Sequence, residues 1–158
     1  MRFDRLSTPL ITIVLGGIAL ALAVILVAAF VNPLPGWAAV IAVTITSCAA
    51  AAHGWFVVKA SFAIADPPKS ALETGTPLAA PDGTMRGGWI IGILERVGTC
   101  ACVATGQFAA LAVIVAIKAV GRFGELDKPE SRERFIIGTM ASLGTAALWG
   151  AGAYLFAR

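Results

Sequence analysis

Apolar residues run almost unbroken from Pro9 to Val31, and three similar runs follow: Trp37 to about Val58, Gly98–Ile117 and Phe135–Phe156. A helix needs about 20 residues to cross a hydrocarbon core roughly 30 Å thick. The pattern therefore predicts an all-α protein, a four-transmembrane-helix bundle forming a single membrane domain over residues 1–158. Its spans are 9–31, 37–58, 98–117 and 135–156, the third extending back to Gly88 if "GGWIIGILER" joins it. The connections are 32–36, 59–87 and 118–134.

Local signals place several boundaries. Pro9 stands near a helix start, where its missing N–H costs nothing. "NPLPG" (Asn32–Gly36) breaks the first helix and turns tightly. Ala65–Gly87, rich in proline, glycine and small polar residues, reads as an irregular loop and not as a domain. "KPESRERF" reads as a helix start, with Pro129 in the first turn, Ser131 as cap and Glu133 near the positive end. Trp37, Trp89 and Tyr154 sit near span ends, as amphipathic rings prefer. The first run is too long for a signal-peptide core of about 7–15 residues and is expected to be retained.

Four crossings put both termini on one side. Six lysines and arginines then accompany the termini (Arg2, Arg5, Lys59, Lys69, Arg86, Arg158) and five lie opposite (Lys118, Arg122, Lys128, Arg132, Arg134). Orientation follows an asymmetry of basic residues, and this division has none. The flank of the first span slightly favours a cytoplasmic N-terminus.

Composition removes the soluble alternative. Only 13% of the 158 residues are charged and 58% are hydrophobic, whereas a soluble domain carries about 25% charged residues. The net charge of +3 comes without a basic stripe interleaved with aromatics, so no nucleic-acid partner is expected. Cys48, Cys100 and Cys102 lie in apolar runs without a paired C-x-x-C pattern and read as small hydrophobes. A copper site with His53 would need Cys100 and Cys102 on one ion, yet they project about 200° apart on a helix. No metal or cofactor is expected. Small residues recur every fourth place in Ala38–Gly54, Gly98–Ala110 and Gly138–Gly150. Such ridges allow close helix packing, but a chain this rich in small residues produces them by chance, so they define no dimer seam.

The chemistry concentrates in a few polar residues. A single helix from Gly88 to Lys118 would be about 46 Å long, which places Glu95 and Arg96 near one headgroup layer. Sequence neighbours on a helix diverge and do not pair. Lys59 or Arg158 is the expected partner of Glu95, and Asp66 or lipid phosphate that of Arg96. His53 reaches the same layer. Together His53, Glu95 and Arg96 form a candidate polar site, as a proton relay or a lipid-headgroup pocket; the plainer reading is a helix-end anchor with a snorkelling arginine. Gln107, in the middle of the third span, is expected to hydrogen-bond another helix within the membrane. Lys118, Arg122 and Glu125, at i, i+4 and i+7, form a candidate basic strip for anionic lipid at the opposite interface. No H-E-x-x-H, G-x-S-x-G, Walker A or paired-aspartate pattern is present, so catalysis is the less favoured reading.

Three stretches, "GGWIIGILER", "IKAVGRFGEL" and "RFIIGTMASLGTAAL", together resemble a family of uncharacterised bacterial integral-membrane proteins with an I-G-x-L-E-R, K-S-x-x-R-F and E-Y-x-x-I-G-T-x-x-S pattern. The matching positions are Ile91, Gly92, Leu94, Glu95, Arg96, Lys118, Arg122, Phe123, Ile137, Gly138, Thr139 and Ser142. Ala119 and Arg134–Phe135 depart from it, and the likeness covers about residues 87–148. It implies a membrane fold and directs attention to Glu95, Arg96, Lys118 and Arg122, at both ends of one expected helix. The expectation is a small multi-pass protein of the bacterial cytoplasmic membrane, acting as scaffold or accessory subunit. The alternatives are a homo-oligomeric channel or carrier and a headgroup-processing enzyme. Its expected partners are the bilayer, anionic headgroups, and a second copy or another membrane protein.

Overall fold

A computed structural model describes residues 8–30, 34–65, 88–121, 123 and 129–157. Among the described residues five helices follow one another: α1 (Thr8–Phe30), α2 (Gly36–Ala65), α3 (Gly88–Ala104), α4 (Phe108–Gly121) and α5 (Pro129–Ala157). The all-α bundle stands. Helices α1, α2 and α5 are long and apolar enough to cross a membrane.

Some boundaries move. Helix α2 continues to Ala65, well past Val58, because nothing at Lys59 interrupts it: the ammonium lies 4.9 Å from the centre of the Trp55 ring. Helix α5 begins at Pro129, so Ser131 lies inside the first turn and does not precede the helix as a cap. The loop 66–87 lies outside the described residues, as do Asp66, Arg122, Glu125 and Arg158.

The third expected span is not one helix. Helix α3 ends in a Schellman motif, in which Gln107 N–H donates to Cys102 O at 2.8 Å and Gly106 N–H to Val103 O at 3.1 Å. Gly106 adopts φ +71°, a left-handed conformation that costs a glycine little. The chain then reverses into α4. The reversal shows in the pairing of Lys118 with Glu95 and in Gly98, where a Cβ would stand 3.2 Å from Ile114 Cδ1. Gln107 therefore occupies an exposed hairpin tip, not the middle of a span.

Contacts fix the directions of the helices. His53 of α2 meets Val14 of α1 and Trp149 of α5, and Arg96 of α3 meets Ala51 of α2 and Ser142 of α5. At the opposite end Leu34 N–H donates to Phe156 O at 2.9 Å, tying the α1–α2 turn to the last turn of α5. The start of α1, the end of α2, the start of α3, the end of α4 and the start of α5 thus share one end of the bundle. The first turn of α1 and the last turn of α5 lie at opposite ends, whereas a four-crossing count puts them together.

The interior is small and polar, and the exterior large and apolar. Ala21, Ala50, Cys100, Ala146 and Trp149 form the central cluster, with Thr46, Ser47, Thr139, Ser142 and Thr145 also buried. Leu15, Leu20, Leu22 and Leu26 of α1 face outward, as do Val40, Ile41 and Ile45 of α2 and Ile117 and Val120 of α4. In lipid the outward face needs no polarity, and small inward residues let backbones approach. Two of the small-residue ridges do face inward, through Thr46–Ala50–Gly54 on α2 and Ser142–Ala146–Gly150 on α5. At Gly150 a Cβ would lie 2.7 Å from the Cys100 carbonyl oxygen, so α3 and α5 approach backbone to backbone there. Three hydroxyls are satisfied within their own helices: Thr44, Ser61 and Thr145 each donate to the carbonyl four residues back.

Candidate functional site

Helix α3 sets the site because its buried face carries charge. Glu95, Arg96, Thr99, Cys100, Val103 and Ala104 point inward, and the two ionised residues diverge by 100° into different neighbours. Arg96 is only 4% exposed. Its Nε–H donates to Ala51 O at 3.1 Å and its Nη1 to Ser142 Oγ at 3.3 Å. Gly54 makes this possible, since a Cβ there would overlap Cδ of the arginine. Ala51 and Ser142 stand near the midpoints of the 30-residue α2 and the 29-residue α5. The guanidinium therefore sits at mid-depth in the bundle, not at the helix-end layer expected for it.

Glu95 turns the other way. Its Oε2 pairs with Lys118 Nζ of α4. The partner is the far arm of the hairpin, not Lys59 or Arg158. Lys118 consequently belongs to the same end of the bundle as Glu95, and no strip at an opposite interface includes it. Oε1 of Glu95 is buried without a hydrogen-bond partner, as is Thr139 Oγ1.

His53 is separate from both. Trp149 Nε1–H donates to Nδ1 at 3.2 Å, and an indole can only donate. The ring proton therefore resides on Nε2, which donates to Val14 O at 3.1 Å. The two rings meet edge to face at 83°, and Gly17 leaves the imidazole the room a Cβ would occupy. Both nitrogens of this neutral histidine are engaged in holding α1, α2 and α5 together. Among the described residues no hydrogen bond joins His53, Glu95 and Arg96 to one another: His53 bonds to α1 and α5, Glu95 to α4, and Arg96 to α2 and α5.

A cleft of 540 Å³ opens above Arg96 between α2, α3 and α5. Arg96, Ser142 and Thr139 lie deep in it. Ser131, Arg134 and Lys118 line it nearer the bundle end, and Trp55, Phe62, Trp89 and Phe135 form aromatic walls. The Arg134 guanidinium lies 5.2 Å from the centre of the Phe62 ring. Three cations line this space, and no described carboxylate does. Arg96 Nη2 has no hydrogen-bond partner among the described residues. Such an arrangement presents charged and neutral donors to an anion in a medium where each is worth more than in water. At the other end of the bundle a 380 Å³ hollow beside Tyr154 has no charged residue in its lining among the described residues.

Sequence reasoning singled out Arg96, Glu95 and Lys118 but missed Ser131, Arg134, Thr139 and Ser142 as site residues. The resemblance pattern contains a signal for two of them: Thr139 and Ser142, two matched positions, line the same cleft as Arg96 and Lys118.

Fold and cleft together define a class: an all-helical bundle with three helices suited to cross a membrane and a cationic cleft sunk between them. No family model matches the chain, and neither the curated proteins nor the solved structures provide a match.

Proposed function

We propose that this is an accessory, non-catalytic integral-membrane protein that holds an anionic group, of the kind carried by lipid headgroups, in the cleft above Arg96. The carrying observation is a buried arginine at mid-depth whose Nη2 makes no hydrogen bond among the described residues, facing an open space also lined by Lys118 and Arg134. Ionisable residues at such depth are expensive and point to function. Binding is favoured over proton chemistry because the chain's one histidine has both nitrogens committed to structure.

The hairpin also supports an orientation in a bacterial cytoplasmic membrane. Of the described residues, Lys59, Lys118, Arg132 and Arg134 lie at the cleft end of the bundle, and Arg2, Arg5, Lys69, Arg86, Arg122 and Lys128 belong to stretches of sequence that adjoin helix ends there. The even division of six against five disappears once α4 returns to the side from which α3 began. By the excess of basic residues on the inner side, the cleft faces the cytoplasm, with the start of α1 inside and the end of α5 outside. Anionic lipid in the inner leaflet would meet the cleft directly.

The test is ligand-linked stabilisation. In detergent micelles, glycerol 1-phosphate at about 100 times its dissociation constant should stabilise the protein by about 2.7 kcal/mol, read as a rise in melting temperature. Choline should give none, and Arg96→Gln should abolish the rise. A wild type indifferent to the phosphate, or a variant that responds equally, removes the proposal.

A further inference from the structure

We infer that the ligand is a phospholipid with its acyl chain bound as well, and that the groove between α3 and α4 is the chain compartment of the same site. This rests on the cleft's being the headgroup compartment, and adds the source of the anion.

The groove has a volume of 430 Å³ and is walled by Ile91 and Leu94 of α3 and Ile114 and Ile117 of α4. Three residues, Gly88, Gly92 and Lys118, line both this groove and the cleft. Gly88 and Gly92 are one turn apart on α3 and so share a face. Without side chains they leave a notch across the helix, and a Cβ at Gly92 would stand 3.3 Å from Nη1 of Arg96. The notch thus passes from the cationic cleft to an apolar trough within a few ångströms. Lys118 stands at the same junction, held by Glu95, which also lines the groove.

Charge and polarity together select the ligand. Arg96 and Lys118 stand against the single carboxylate of Glu95, so these described side chains carry net positive charge. A free phosphate would leave the apolar groove unused. A neutral lipid would leave the cations unused. A fatty acid's carboxylate brings two acceptor oxygens to these donors, where a phosphate monoester brings three and more charge. A phosphate bearing an acylated glycerol uses every part: phosphate toward Arg96, glycerol over the glycine notch, and a chain between the hairpin arms. The hairpin fold is what creates this trough, since a straight third span would offer no second arm.

Equilibrium binding in detergent micelles separates the two compartments, with dioleoyl phosphatidic acid and glycerol 1-phosphate as probes. The wild type should bind the lipid at least about tenfold more tightly than the chainless phosphate, as burial of a few methylenes implies. Ile117→Trp fills the groove from a position already 68% exposed. It should weaken phosphatidic acid about tenfold and leave glycerol 1-phosphate unchanged. Leu94→Trp, from the facing wall and 65% exposed, should do the same and guards against a folding artefact at either position. Arg96→Gln should weaken both ligands. Equal affinity of the two ligands, or unchanged lipid affinity in both tryptophan variants, overturns the chain compartment while the cleft reading stands. Binding of neither probe to the wild type overturns both.

Discussion

Two polar clusters lie deep within this bundle, and they differ in completeness. Around His53 every hydrogen-bonding atom of the ring is used: one nitrogen donates to Val14 O and the other accepts from Trp149. Around Arg96 the protein uses Nε and Nη1, leaves Nη2, and leaves Thr139 Oγ1 without a partner beside an open cleft. Both clusters are buried and both are made possible by a glycine opposite, Gly17 for the imidazole and Gly54 for the guanidinium. Burial of a polar residue in a membrane helix therefore does not distinguish glue from site. Unused hydrogen-bonding capacity next to accessible space does, because an unpaired polar group in low dielectric gains most from a ligand.

The largest effect should come from the charge that closes the hairpin. Lys118→Met leaves Glu95 buried and unpaired, and should destabilise the protein by about 3–5 kcal/mol, measured by thermal unfolding in detergent. Adding Glu95→Gln to the same chain should recover most of the loss. If the double variant is as unstable as the single one, the ion pair does not hold α4 to α3.

Next come the two glycines, which separate the clusters directly. Gly54→Leu must displace Arg96, and should lower affinity for a phosphate-bearing headgroup by the worth of a charge-assisted hydrogen bond, about 1.5–3 kcal/mol or roughly ten- to a hundredfold. Gly17→Leu must displace His53 instead. It should lower the melting temperature while the stabilisation produced by glycerol 1-phosphate stays the same size. Equal effects of the two variants on binding would erase the distinction between the clusters.

Smaller changes sharpen it. Trp149→Phe removes the donor to His53 Nδ1, and a stability loss of about 1 kcal/mol with unaltered ligand response is expected. Gln107→Ala should change stability by less than about 0.5 kcal/mol, the range of an exposed position. A substantially larger loss would return Gln107 to an interhelical role.

Much of the architecture was legible in the chain. The apolar runs of α1, α2 and α5 are long and apolar enough to cross a membrane, and that much was readable from composition alone. Pro129 and the "NPLPG" break marked where helices begin or turn. Glu95, Arg96 and Lys118 also stood out, since charge beside long apolar runs is costly whatever the fold.

The sequence did not determine where those charges lie or which of them meet. "VATGQF" is compatible with an unbroken span, because glycine in a membrane helix serves equally as a packing residue or as a left-handed cap. Only the Schellman hydrogen bonds at Gly106 and the pairing of Lys118 with Glu95 resolve that choice. From this reversal follow the opposite placement of the two ends, the gathering of basic residues at one end and the groove between α3 and α4. Apolar length was decided locally, by the cost of exposing backbone and charge to lipid. The path of the third segment was decided by partners far along the chain, and with it the site.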